Sequence, residues 1–300
     1  MRSLQSFIFE RLIKIVIKQY EPSVYIKKKE IENSYPYVLP DNYKQKYSIR
    51  KTNSYSLDTY MLKSPSQAEE RQILFLHGGG YMDQPLMWHW RFLHRLSQKL
   101  NGTITVPIYP KAPNHQYKEA FEQVLPIYKD LLTKASPDNI VIMGDSAGGG
   151  FSLALSQLLL EEGLPQPGNI ILLSPWLDIT TSNPKIEVLK KVDPMLNLRL
   201  LIETGKIYAG DTDRSNYLLS PINGPLHGLG KITLFVGTHE LFLADARRFR
   251  ALAKREKVEI NYFEYPKMNH VFPVLPIPEA DLAMKQMIDI IKGQKTHKEQ

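Results

Sequence analysis

Three hundred residues suffice for one large α/β domain or two small ones, and a 43% hydrophobic content is that of a globular chain with a real core. The absence of cysteine excludes disulfides, thiolate metal sites and a cysteine nucleophile. The formal charge of +7 includes a short basic run at Lys27–Lys29 and Lys292, Lys295 and Lys298 near the C-terminus. These read as solvated segments able to attract an anionic surface; no nucleic-acid-binding motif accompanies them, so nucleic acid is not an expected partner. No secretion signal is evident, and a cytoplasmic protein is the default expectation.

In chain order, Met1–Tyr20 is apolar but interrupted by Glu10, Arg11, Lys14 and Lys18, so it falls short of the roughly 18–20 apolar residues of a membrane span. Leu4, Phe7, Ile8, Leu12, Ile15 and Val16 fall close to helical spacing, which predicts an amphipathic helix that packs its apolar face on the protein. A membrane-surface role for that helix is the alternative. A polar, Tyr- and Pro-containing stretch, Glu21–Tyr43, follows. Tyr47–Lys51 and Leu57–Leu62 have strand character, and Ser64–Glu70 reads as a turn.

From Ile73 onward strands and helices alternate. Strands are predicted at Ile73–Leu76, Thr103–Ile108, Ile140–Met143, Ile170–Leu173, Ile232–Val236 and Val258–Glu264. Helices are predicted at Trp88–Leu100, Tyr117–Leu132 (with a kink or break at Pro126), Ser146–Glu162, Phe242–Arg255 and Glu279–Ile291. Short, continuously apolar strands alternating with helices imply parallel βαβ units covered on both faces. Residues 174–231 break the alternation. They hold helical material at Ile186–Lys191 and Leu196–Tyr208 and are too long for a simple loop. They read as an insertion over the C-terminal edge of the sheet, joined by the N-terminal helix to make a lid. The expected division is an N-terminal lid segment at 1–45, a core at 46–175 and 230–295, and a lid insertion at 176–229.

Two motifs carry chemistry. Gly144-Asp145-Ser146-Ala147-Gly148 follows a strand and opens a helix, the setting in which a serine is exposed on a sharp turn as a nucleophile. Taken alone, such a turn could equally hold a phosphate on the helix N-terminus. His77-Gly78-Gly79-Gly80 directly follows the strand Ile73–Leu76, where glycines let backbone N–H groups turn toward a developing oxyanion.

HGGG followed by GDSAGG resembles the hormone-sensitive-lipase-like family of α/β-hydrolases, the "GDXG" esterases. The resemblance runs from about Ile73 to His270 and includes Tyr109-Pro110-Lys111-Ala112-Pro113, similar to the family's Y-x-L-A-P-E segment with departures at Lys111 and Asn114. Ser174-Pro175-Trp176-Leu177-Asp178, Asp193-Pro194-Met195-Leu196 and Tyr208-Ala209-Gly210 extend it. It implies an α/β-hydrolase fold, a mostly parallel sheet with helices on both faces and a helical lid, and catalytic residues in the order Ser, acid, His. His270, in Met268-Asn269-His270-Val271-Phe272, matches the family's H-x-F element; His77 is better suited to orienting its own loop. The acid is expected after the strand Ile232–Val236, where the family often has D-x-L and this chain has Glu240; Asp245 is the competitor, inside the following helix.

The implied reaction is attack on an acyl carbonyl by Ser146 with His270 as base and Glu240 orienting it, the oxyanion held by N–H groups of Gly79, Gly80 and Ala147, and Gly78 shaping the turn. Asp145 is expected to be structural. No metal or organic cofactor is needed. The expected substrate is a small-molecule ester, with short acyl chains favoured because a substantial lid encloses a limited pocket. An amidase or acyltransferase with the same residues, a lipid-surface esterase and a non-catalytic small-molecule receptor are the alternatives. Tyr81, Trp88 and Trp176 are candidates for the pocket wall or the core. The oligomeric state, a homodimer included, is left open.

Overall fold

The computed structural model describes residues 2–16, 21–52, 55–64 and 71–294. Residues 65–70 of the predicted turn, Lys18, Lys295, His297 and Lys298 lie outside them. The eight strands are β1 (Ile49–Thr52), β2 (Thr59–Lys63), β3 (Arg71–Leu76), β4 (Gly102–Pro107), β5 (Ile140–Asp145), β6 (Asn169–Leu173), β7 (Lys231–His239) and β8 (Ile260–Asn269). They form one sheet in the order β1-β2-β4-β3-β5-β6-β7-β8. The first two pairings, β1 with β2 and β2 with β4, are antiparallel, and all the others are parallel.

Side-chain alternation along the central strands decides which helix covers which face. Ile73, Phe75, Val141, Met143, Ile171, Leu173 and Phe235 point to one side, into a core closed by α4 (Met87–Leu100) and α10 (Pro278–Ile291). Leu74, Leu76, Ile140 and Ile142 point to the other, against α5 (Tyr117–Lys134) and α6 (Ser146–Glu161). Ile170, Leu172, Ile232 and Leu234 continue that side toward α9 (Leu243–Arg255). These side chains are fully or almost fully buried, and each contributes roughly 1.5–3 kcal/mol of transfer free energy. Helix α5 runs through Pro126 without the break that is one of the two expectations there. The proline forfeits one backbone hydrogen bond, but buried Phe121, Val124, Ile127, Tyr128 and Leu131 hold the helix to the sheet.

The cover over the C-terminal ends of the strands comes from two parts of the chain. One is the segment between β6 and β7, with α7 (Ile186–Leu189) and α8 (Leu198–Ala209). The other is N-terminal: α1 (Leu4–Val16) and α2 (Pro22–Glu32), whereas α3 (Asp41–Tyr47) leads into β1 and packs on α4 through Tyr47 and His94. The last two helices fall where the sequence reads only as a polar stretch. Helix α2 has no fully buried residue; Tyr25 and Ile26 pack half-buried against the core, and polar bonds fix its position. Tyr25 donates to Asp83 at 2.6 Å, Lys29 pairs with Asp83 at 2.6 Å, and Asn33 donates to the Met82 and Ala112 carbonyls.

Helix α1 corrects the sequence reading. Its predicted apolar face, Leu4, Phe7, Ile8, Leu12 and Ile15, is turned to solvent, and its polar residues Ser6 and Glu10 are turned inward. The inward face is held by specific polar partners. The Ser3 N–H donates to Glu279 at 2.6 Å, Ser6 bonds the same carboxylate, and Glu10 pairs with Arg2 at 2.8 Å and with His239 at 2.9 Å. Burial pushes the Glu10 carboxyl up, but His239, Lys14 and Arg2 outweigh it and hold its pKa below the usual value. Among the described residues no helix is long and apolar enough to cross a membrane.

Candidate active site

Strand β5 ends at Asp145 and α6 begins at Ser146, so strand passes to helix without a connecting residue. The turn puts Ser146 at φ +52°, a left-handed conformation that a residue with a side chain keeps only where its surroundings hold it. Close approach makes the turn possible: a Cβ on Gly148 would lie 1.9 Å from the Leu76 carbonyl oxygen, so α6 can start against the end of β3 only with glycine there. The Ala147 N–H is among the first of α6, where backbone donors have no intrahelical acceptor.

The end of β3 delivers the second motif beside the first. Gly79 adopts φ +115°, and the chain folds back so that the Asp83 N–H donates to the Gly79 carbonyl at 2.8 Å. His77 is fully buried, its ring stacked on Tyr109 at 4.5 Å, with Nδ1 2.7 Å from the Gly78 carbonyl. Burial drives its pKa well below the usual histidine value, so it is a neutral ring that donates to its own loop. Asp145 ties the two motifs together. One carboxylate oxygen accepts the Gly78 N–H at 2.9 Å, and the other is 3.1 Å from His89 Nε2. Burial pulls the His89 pKa down, but the Asp145 charge overrides it and leaves it raised.

His270 stands on the loop after β8 with Nε2 2.9 Å from Ser146 Oγ and Nδ1 2.8 Å from Glu240 Oε2. With Glu240 ionised, Nδ1 carries the proton, and Nε2 is left to accept from the serine hydroxyl. The second Glu240 oxygen accepts the Gly237 N–H at 2.6 Å and the Ser174 hydroxyl at 2.8 Å. The Ser174 oxygen in turn accepts the Val271 N–H at 3.0 Å, next to His270. All three members of the line are buried. Asp245 lies apart from it, inside α9, accepting from Asn183 at 2.8 Å, and burial raises its pKa to about 6.

Two supports involve residues of the resembling segments whose roles the sequence does not assign. Asp193 is half-buried and accepts the N–H groups of Met195 and Leu196 with one oxygen and that of Leu241 with the other. It thereby ties the segment before α8 to the loop carrying Glu240. Burial raises its pKa to about 6 against those donors and the nearby His270. The second support is a row of aromatic rings from Tyr208 of α8 through Tyr81, Trp176 and Phe242 to the edge of His270, with centroid spacings of 4.0, 5.6, 5.7 and 5.1 Å. Tyr81 and Trp176 are therefore core; Trp88 is the one of the three candidate aromatics that lines the cavity.

That cavity has a volume of about 810 Å³. Ser146, His270, Gly78, Gly79 and Gly80 lie at its floor. Its walls are largely apolar: Met195, Leu196, Leu200 and Leu201 from the segment around α8, Phe9, Leu12 and Ile13 from α1, and Val274 and Leu275 from the loop after β8.

Comparison with known proteins identifies the family. The sequence profile of the α/β-hydrolase fold covers residues 73–274, from β3 through both motifs to the loop beyond His270. The chain belongs to the α/β-hydrolase fold family. Within it, it groups with the hormone-sensitive-lipase-like members. It is similar to an esterase of Acinetobacter venetianus, 31% identical over 75% of this chain and 76% of that one. An acetyl-hydrolase of Streptomyces hygroscopicus is 29% identical over 71% and 73% of the two chains. The crystal structure of a Staphylococcus aureus protein superposes with a TM-score of 0.87 at 30% identity, covering 95% of this chain and 97% of that one.

Proposed function

We propose that this chain is a carboxylic ester hydrolase in which Ser146 is the nucleophile, His270 the general base and Glu240 the acid that orients it. The observation that carries the reading is the hydrogen-bonded line from Ser146 Oγ through His270 to Glu240 at the floor of an apolar cavity. His270 Nε2 takes the serine proton as Oγ attacks the acyl carbonyl, and Glu240 stabilises the imidazolium. The N–H groups of Gly79, Gly80 and Ala147, from the glycine loop and the start of α6, hold the oxyanion. His270 returns the proton to the leaving alcohol, and a water activated by the same ring releases the acid. The segments around α1 and α8 act as the lid.

The substrate we propose is an ester with a short acyl group on a larger apolar alcohol. A cavity of about 810 Å³ suits a drug-sized molecule rather than a small acetate ester alone. The acetyl-hydrolase among the relatives supports the short acyl half. A panel of p-nitrophenyl esters of graded acyl length, run beside the matching anilides, tests this. Highest kcat/KM at acetate to butyrate with negligible anilide cleavage is the expected result. A long-chain optimum would overturn the acyl assignment, and no ester turnover at all would overturn the reading.

A further inference from the structure

Helix α1 leaves an apolar stripe in solvent. Its inward face carries buried Ser6 and Glu10, 2% and 5% exposed, beside half-buried Phe9 and Ile13, while Leu4 is 72%, Ile15 79%, Leu12 54%, Ile8 49% and Phe7 44% exposed. At 100° per residue these five side chains share one outward face, with Arg11 standing between Phe7 and Leu4. The stripe leads into the active site: Leu12 belongs both to it and to the cavity wall, where Phe9 packs edge-on against Trp88, itself 40% exposed beside Leu86 at 58%. An exposed apolar band at the mouth of an apolar cavity marks an interaction surface.

Charge and size point to the occupant. The only acid of α1, Glu10, faces inward and is neutralised by Arg2, Lys14 and His239, at 2.8, 3.2 and 2.9 Å. Arg11 is left exposed along the apolar stripe, on a chain of net charge +7. A helix of 13 residues is only about 20 Å long, so its outer face offers far less than the roughly 800 Å² per partner of a stable dimer. A short helix that exposes an apolar face and a cation, on a basic chain, fits the interface of an anionic bilayer, where the apolar side chains enter the acyl boundary and the positive charge meets the headgroups.

We propose that α1 docks this protein on anionic lipid surfaces, with the cavity mouth facing the lipid, so that amphiphilic esters enter directly from the interface. The proposal rests on the esterase reading for its substrate but not for its binding step. Flotation of the full chain with phosphatidylglycerol–phosphatidylcholine vesicles, and with phosphatidylcholine vesicles alone, measures that step. The expected result is flotation with the anionic vesicles at low salt, weakened by Arg11→Gln and reduced ~10-fold or more in the Leu4→Ser/Ile8→Ser/Ile15→Ser variant. Those three exposed side chains lie outside the cavity, so hydrolysis of soluble p-nitrophenyl acetate by the variant should stay within about twofold of the native rate. That assay reports on the esterase reading separately. Failure of the native chain to float, equal flotation with neutral vesicles, unchanged flotation of the triple variant, or a native dimer in sedimentation that the triple variant abolishes would each overturn the docking proposal.

Discussion

Asp145 Oδ1 accepts the Gly78 N–H at 2.9 Å, so the residue before Ser146 holds the glycine loop that follows β3. Residues 67 positions apart are thereby fixed as one unit, with His89 on the opposite carboxylate oxygen. An oxyanion site works only if its donors are aimed before the charge develops. Asp145→Ala should therefore lower kcat about 10- to 100-fold with KM changed much less, because an interaction used mainly in the transition state is loosened. Asp145→Asn keeps an acceptor for Gly78 and should be milder. Steady-state kinetics of the two variants checks this; an equal loss in both, with native thermal stability, would show that the charge rather than the Gly78 bond matters.

Ser146→Ala should abolish ester hydrolysis, by ~10⁴-fold or more, while leaving the fold intact, since members of such a unit act together. Removal of the hydroxyl leaves His270 bonded to Glu240 and disturbs no packing contact of α6 with the sheet. Near-native turnover in a folded variant would exclude Ser146 as nucleophile.

The choice between carboxylates rests on geometry. Glu240→Gln puts an amide where Nδ1–H donates and where Ser174 and the Gly237 N–H also converge, so it should cut kcat by about 10²- to 10⁴-fold with KM little changed. Asp245→Asn should leave kcat within a few-fold, and burial of a neutral amide in place of a carboxyl with a pKa near 6 should not destabilise the protein at neutral pH. The reverse ranking in kcat would make Asp245 the acid.

Lys111 stands where the family segment has leucine, and it is buried, with Nζ donating to the Tyr109 carbonyl at 2.7 Å. Burial lowers its pKa to about 7, against the opposing pull of Asp83. Between about pH 7 and 10.5 the unfolded chain then holds a proton that the folded chain does not, so stability rises with pH across that window. Below pH 7 lysine is charged in both states, and the penalty is complete. Lys111→Met should flatten this rise, worth on the order of a few kcal/mol, and should cost about 1 kcal/mol at alkaline pH for the lost hydrogen bond. Urea denaturation at pH 6, 8 and 9.5 reads both; parallel curves for the two proteins would mean that Lys111 keeps its charge in the fold.

Much of this molecule is legible in its amino-acid order because the relevant physics is local. Continuous apolar runs as short as Ile73–Leu76 and Ile170–Leu173, bounded by turn residues, fit strands buried on both faces, and alternation with helices makes them parallel. Gly144-Asp145-Ser146-Ala147-Gly148 after such a run demands a tight turn, and glycines after His77 demand unusual backbone angles. Those demands name Ser146 and the loop residues before any fold is seen. What tertiary structure alone decided depends on partners far apart in the chain. Glu240 and Asp245 are both carboxylates just past one strand, and only the arrival of β8 brings His270 to the first and leaves the second with Asn183. The apolar spacing of α1 is equally compatible with facing in or out; Glu279 and His239, more than 200 positions away, take its polar side and turn its leucine and isoleucine side chains to solvent. Periodicity defines a helix face, but which face is buried depends on the surface it meets, and no local pattern encodes that surface.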